Sequence, residues 1–98
     1  MNPVSALAQR VKRRRTWRDV WGSILKCLAK GNATQNRIMT STNLNVRVTR
    51  NYLRDLTSSE FVHAVSQSKG RKVYSITETG KKWLGIYKTL LALEKSKN

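Results

Sequence analysis

The sequence predicts an α+β fold, a winged helix-turn-helix in which three helices precede a two-stranded wing and one further helix follows it. Apolar residues recur at helical spacing over residues 17–56, alternate at strand spacing over 61–76, and return to helical spacing over 83–93. A short helix-turn-helix followed by a hairpin is the order of elements in that fold. We therefore divide the chain into a basic arm (1–15), a winged-helix domain (16–78) and a C-terminal dimerisation helix (79–98).

The charge of the chain indicates the kind of partner it needs. Lys and Arg number 20 against 5 Asp and Glu, a formal net charge of +15 over 98 residues. Such an excess repels itself and favours a polyanionic partner, with nucleic acid ahead of an anionic membrane surface. No apolar run approaches the roughly 20 residues of a membrane span, and the first 15 residues lack the apolar region of a secretory signal. We expect a cytoplasmic, nucleoid-associated protein whose partner is double-stranded DNA, with no membrane partner.

Residues capable of catalysis or metal binding are few and scattered. The chain has a single histidine, His63, a single cysteine, Cys27, and five isolated acidic residues. These show neither metal-ligand spacing nor paired carboxylates, so we predict no enzyme activity, no metal and no cofactor. His63 falls at a solvent-facing strand position, and Cys27 falls where a half-buried apolar residue is expected.

The first two helices are marked by capping residues. Thr16 is placed to cap the first helix, with Asp19 completing a capping box, and Gly31 is suited to end it. Thr34 is placed to cap a second, short helix that we expect to run to about Met39. The residues of the first helix that we predict to face the core are Trp17, Val20, Trp21, Ile24, Leu25 and Leu28.

The third helix carries the strongest functional signal. Asn45 is placed to cap it, and at 100° per residue Thr49, Tyr52, Leu53 and Leu56 share the core-facing side. The opposite side presents Arg47, Arg50, Asn51 and Arg54. A solvated charged face is the simpler interpretation, but such faces usually mix signs and gain from pairing. Arginine suits guanine edges and phosphates, and asparagine suits adenine, so we favour contact with nucleic acid.

Two further basic segments are candidate phosphate contacts. The β-prone runs "FVHAVSQ" and "KVYSIT" are joined by a turn at Gly70, and Lys69, Arg71 and Lys72 crowd that turn. An ordinary soluble turn is the alternative. The arm ends in Arg13, Arg14 and Arg15, which would either track phosphates or form a solvated tail.

The last helix is opened by Thr77 or Thr79 and has a wide apolar stripe. Packing on its own domain is one interpretation, but the helix is longer than a small core needs, which favours self-association as a homodimer. The residues predicted to form the dimer seam are Trp83, Ile86, Tyr87, Leu90 and Leu93.

Three segments, "ILKCLAKG", "TQNRIMTSTNLNVRVTRNYLRDL" and "VYSITETGKKWLGIY", resemble the small archaeal winged-helix DNA-binding proteins of about ten kilodaltons, of the chromatin or regulator type. The resemblance runs from about Trp21 to Leu93. It implies a recognition-helix role for the four polar residues of the third helix, a wing at 69–72, and an antiparallel coiled-coil dimer through 83–93. One departure is Glu60, where the family usually has a glycine, so we expect the exit from the third helix to differ.

Two classes of function follow. The first is a dimeric DNA-binding protein that bridges or compacts DNA, or regulates transcription; an operator-specific regulator of viral or plasmid origin is the alternative within this class. The second is a winged-helix protein-interaction module, which the excess of positive charge disfavours. RNA binding stays open, although no aromatic platform for single-stranded bases is evident.

Overall fold

The computed structural model of the chain describes residues 16–96, and it confirms the predicted α+β winged helix-turn-helix. Its elements in order are α1 (Trp17–Ala29), α2 (Gln35–Thr42), α3 (Val46–Ser58), β1 (Val62–Ser66), a 3₁₀ turn (Ser68–Gly70), β2 (Lys72–Ile76) and α4 (Glu78–Ser96). The basic arm, with Arg13, Arg14 and Arg15, lies outside the described residues, so its predicted phosphate contacts remain a prediction.

The three predicted helix starts are formed as expected. The Thr16 hydroxyl accepts from the backbone N–H of Asp19, and the Asp19 carboxylate accepts from the backbone N–H of Thr16, both at 3.2 Å. Thr34 and Asn45 each accept from the backbone N–H three residues on, at 3.3 and 2.8 Å. Each cap satisfies a backbone donor that the first helical turn leaves without a partner.

Helix α2 ends later than predicted. It continues past Met39 to Thr42, and Asn43 closes it in the left-handed conformation at φ 58°. Thr42 is buried, and its hydroxyl donates to the Ile38 carbonyl at 2.6 Å. The polar run "TSTN" looks like a turn, but Thr42 is buried in the core and its hydroxyl donor has a partner within the helix, so the run can stay helical.

One cluster of side chains from all the helices and both strands forms the core. Its buried members are Val20, Ile24, Leu25, Leu28, Ala33, Ile38, Leu53, Leu56, Val62, Tyr74 and Leu84. The prediction for Trp17 was wrong, because its side chain is 51% exposed. Trp17 lies in the first turn of α1, beyond the core, where its ring meets the edge of Trp21 with 5.0 Å between centroids.

The wing is anchored to the loop before α2. Strands β1 and β2 pair antiparallel, with Val62 opposite Ile76 and Ser66 opposite Lys72. Ala33 adds a bridge on the other side of β2, exchanging two backbone hydrogen bonds with Tyr74. This bridge fixes the wing relative to the helix-turn-helix.

Thr77 and Gly80 join α4 to the end of α3. The Thr77 hydroxyl accepts from the Gly80 N–H at 3.0 Å and donates to the Glu60 carbonyl at 2.7 Å, so Thr77, not Thr79, is the cap. A Cβ atom at Gly80 would lie closer than 3.0 Å to the Phe61 carbonyl oxygen. These contacts give a physical reason for the T-x-x-G segment.

The expectation that Glu60 changes the exit from α3 was wrong, because this residue keeps the backbone conformation that favours glycine. Glu60 has φ 64°, in the left-handed region, and the Phe61 N–H donates back to the Leu56 carbonyl at 3.0 Å. The chain therefore makes the usual left-handed helix end with a glutamate in place of a glycine.

Candidate nucleic-acid interface

The outer face of α3 holds the four side chains singled out from the sequence. Arg47, Arg50, Asn51 and Arg54 are all exposed. On the opposite side, Thr49, Leu53 and Leu56 are buried in the core. The basic face is therefore carried by a helix whose orientation is fixed by packing.

The charged residue in the first turn of α3 has the sign that the helix dipole disfavours. Helices α1 and α4 carry an acid in the first turn, Asp19 and Glu78, where the helix dipole favours one. Helix α3 has no acid in its first turn and places Arg47 there. Among residues 16–96, the one ion pair joins Lys81 to Glu78 at 3.6 Å, so no acid in that range forms an ion pair with an α3 arginine.

A cleft of about 330 Å³ lies between α3 and the wing. Its walls carry three cationic side chains, Arg50 and Arg54 from the helix and Lys72 from β2, and no acidic one. Tyr74 is buried, and because side chains alternate along a strand, Lys72 lies on the same, α3-facing side of β2. The remaining lining residues are Leu53, Thr57, Ser58, Ala64 and Tyr74. The cleft is therefore suited to a phosphodiester strand held between helix and wing.

The wing tip is a tight turn with left-handed backbone at two successive residues. Lys69 has φ 65° and Gly70 has φ 72°, and the Gln67 N–H donates to the Arg71 carbonyl at 2.5 Å. The sequence indicated only Gly70 for such a conformation. Lys69 and Arg71 are exposed, and neither lines the cleft, so the predicted wing residues divide between the tip and the cleft.

The first turn of α2 is a part of this surface that sequence reasoning missed. Gln35 and Asn36 line a recess of about 410 Å³ together with Thr34, Arg71 and Lys72. Lys72 thus lies between α2 on one side and α3 on the other. In the sequence, the one sign of this surface was the pair of amide side chains, Gln35 and Asn36, at the start of α2. Their place beside the wing depends on the Ala33–Tyr74 bridge, which the sequence did not reveal.

The five residues predicted to form the dimer seam fall into two groups. Trp83 and Tyr87 pack on α1. The ring centroids of Trp83 and Trp21 are 5.6 Å apart, and the Tyr87 hydroxyl donates to the Asp19 carboxylate. Ile86, Leu90 and Leu93 are 68%, 43% and 58% exposed, and we call these three the outer stripe. Of the five predicted seam residues, the three of the outer stripe are the exposed ones.

Other kinds of site find no support in the residues described. No group of three or more potential metal ligands occurs between residues 16 and 96. In the same part of the chain, no helix is both long enough and apolar enough to cross a membrane.

The described chain thus combines a helix-turn-helix, a two-stranded wing and a basic outer face on α3. The chain belongs to the winged helix-turn-helix family, whose sequence profile matches residues 14–95. This family and its fold are non-enzymatic, which confirms the prediction that the chain is not an enzyme. Among curated proteins, none matches the sequence significantly.

Solved structures show the same fold. The chain is similar to Sso10a-2, a DNA-binding protein from Sulfolobus solfataricus, with a TM-score of 0.74 and 22% identity over 85% of this chain and 84% of that one. It is also similar to the transcription regulator MepR of Staphylococcus aureus, with a TM-score of 0.72 and 20% identity over 81% of this chain and 61% of that one. For the regulator BldR from Sulfolobus solfataricus the TM-score is 0.73, with 16% identity over 80% of this chain and 58% of that one.

Proposed function

We propose that the chain is a homodimeric, double-stranded DNA-binding protein that bridges and compacts DNA in the nucleoid, with or without a role in transcription regulation. The observation that carries this proposal is the cleft between α3 and the wing, which Arg50, Arg54 and Lys72 line together and no acidic residue lines. These three positively charged side chains, two on α3 and one on β2, suit the sugar-phosphate backbone that separates the major groove of DNA from the minor groove. Fixed cations of this kind supply most of the affinity for duplex DNA.

The docking geometry follows from that cleft. With one strand between helix and wing, α3 lies in the major groove, where Arg47 and Asn51 reach base edges. The wing tip, with Lys69 and Arg71, then lies against the backbone or the adjacent minor groove. The similar structures include a protein described as DNA-binding and a complex of MepR with DNA, which supports this use of the fold.

The outer stripe supports the homodimer. Ile86 and Leu90 are apolar, exposed and one turn apart on α4, and a second copy would remove both from water. A seam at α4 leaves the cleft and the wing free in each subunit. An antiparallel pairing would hold two duplex segments at opposite ends of the dimer, which is the geometry of bridging.

An operator-specific regulator is the second candidate. It is favoured by Arg47 and Asn51, whose side chains can pair bidentately with guanine and adenine. Footprinting on genomic DNA separates the two candidates, because a bridging protein protects DNA broadly whereas an operator-specific one protects discrete sites.

The proposed function is tested by retention of random-sequence duplex DNA at physiological salt and by capture of a second, labelled duplex on an immobilised one. We expect both for the wild-type chain. The double variant Arg50→Ala with Lys72→Ala should lose retention, whereas Lys26→Ala, which removes an exposed charge from α1, should keep it. Failure of the wild-type chain to retain duplex DNA would overturn the proposal and would favour a protein-interaction module.

A further inference from the structure

The first residue of α3 is an exposed valine. Val46 is 45% exposed, although its neighbours Leu44 and Val48 are half-buried. Its position is fixed, because the Asn45 side chain caps the helix by accepting from the Val48 N–H at 2.8 Å. Among the large apolar side chains of α3, all within the described chain, Val46 alone is exposed.

Nothing in the helix itself explains a valine at this position. A β-branched residue has a lower helix propensity than a straight-chain one, and the first turn favours an acid. Val46 is not among the buried side chains that form the core, so burial in the core does not offset these effects. The exposed part of the side chain is therefore available to a partner.

We propose that Val46 is a specificity-determining residue that contacts the C5-methyl group of thymine. The inference rests on the proposed function, because it requires α3 in the major groove, where the N-terminal residues of a recognition helix meet base edges. The C5-methyl group of thymine is the largest apolar group on those edges. A valine against any other base edge would leave hydrogen-bonding groups without partners, and only the methyl gains from an apolar neighbour.

The neighbours of Val46 fit this assignment. Arg50 lies one turn further on the same side of α3 and lines the cleft, so a strand held by Arg50 brings the adjacent bases toward Val46. The valine side chain has one strongly preferred rotamer in a helix, so it gives up little conformational freedom when it meets the methyl. Arg50 then supplies affinity, and Val46 supplies discrimination.

The test compares two duplexes of the same adenine-thymine sequence, one with thymine and one with deoxyuridine, which lacks the methyl. Removing the methyl should weaken wild-type binding about fourfold, the value of one buried methylene-sized group. Val46→Ala should bind both duplexes equally. The matched control is Val65→Ala on the wing, where the wild-type valine is 52% exposed, and this variant should keep the wild-type dependence on the methyl.

Two results would overturn the inference: equal wild-type binding to both duplexes, or a methyl dependence that survives in Val46→Ala. Arg50→Ala on the thymine duplex separates the two proposals. If Arg50→Ala binds weakly while the wild type binds both duplexes equally, the role proposed for Val46 is refuted and the proposed DNA-binding surface is supported. If Arg50→Ala binds like the wild type, α3 is not in the groove and both proposals fall.

Discussion

The ring of Tyr87 lies so close over Gly22 that a Cβ atom on Gly22 would be closer than 3.0 Å to two ring carbons. Gly22 is a buried residue in the middle of α1, and the Tyr87 hydroxyl donates to Asp19, one turn before it. The pair fixes α4 on α1. It also turns Tyr87 inward, which leaves Ile86 on the outside of α4.

We predict that Gly22→Ala destabilises the fold. Displacing the Tyr87 ring should cost roughly 1–3 kcal/mol of overpacking, against a gain of about 1 kcal/mol in helix propensity. Gly85→Ala is the matched control, because no atom lies within 4 Å of a Cβ built there. Thermal unfolding should show a lower midpoint for Gly22→Ala and a higher one for Gly85→Ala. A stabilised Gly22→Ala would contradict the close packing of α4 on α1.

At the end of α3, Glu60→Gly should stabilise the protein. A left-handed backbone at a non-glycine residue costs about 1–2 kcal/mol, and part of this would be recovered. Ser59→Gly is the control, since Ser59 has φ −84° and would gain only unfolded-state entropy. Denaturant unfolding should move the midpoint up for Glu60→Gly and down for Ser59→Gly. If the midpoint moved in the same direction in both variants, the left-handed backbone at Glu60 would not explain the effect.

Two buried threonines should respond oppositely to replacement by valine. The Thr49 hydroxyl is buried and has no hydrogen-bond partner among the described residues, so Thr49→Val should be neutral or stabilising. Thr42 donates to the Ile38 carbonyl, and Thr42→Val should destabilise the protein by about 1 kcal/mol. Equilibrium unfolding of the two variants measures the difference. A clear loss of stability in Thr49→Val would mean that its hydroxyl has a partner in solution.

The sequence predicted the helix starts well, because a side-chain cap at Thr16 or Asn45 depends only on the next few residues. It failed for Trp17 and Thr42, whose burial depends on where the chain passes in three dimensions. Amphipathic spacing put Trp17 on the core face, but along α1 the buried core begins only at Val20. The cleft could not be predicted for the same reason, since residues of α3 and of the wing that are distant in sequence line it together only in the folded chain.

For the outer stripe, we predict that Ile86→Glu with Leu90→Glu abolishes the homodimer, because charge would replace apolar surface in the seam. Analytical ultracentrifugation should show a monomer that binds DNA more weakly, since only one binding site remains in each particle. Lys88→Glu introduces an acid at an exposed residue of the same helix and should leave the dimer intact if the seam is the stripe. A wild-type chain that sediments as a monomer would end the dimer proposal and the bridging mechanism with it.

The most direct test of the DNA-binding surface is the salt dependence of duplex affinity in Arg50→Ala and Arg54→Ala. Each arginine is exposed and lines the cleft, so neither substitution should disturb the fold. The slope of log K against log salt should become shallower by about 0.9 for each phosphate that the variant no longer neutralises, and Lys26→Ala should keep the wild-type slope. Wild-type slopes in both arginine variants would contradict the assignment of α3 and the wing as the DNA-binding surface.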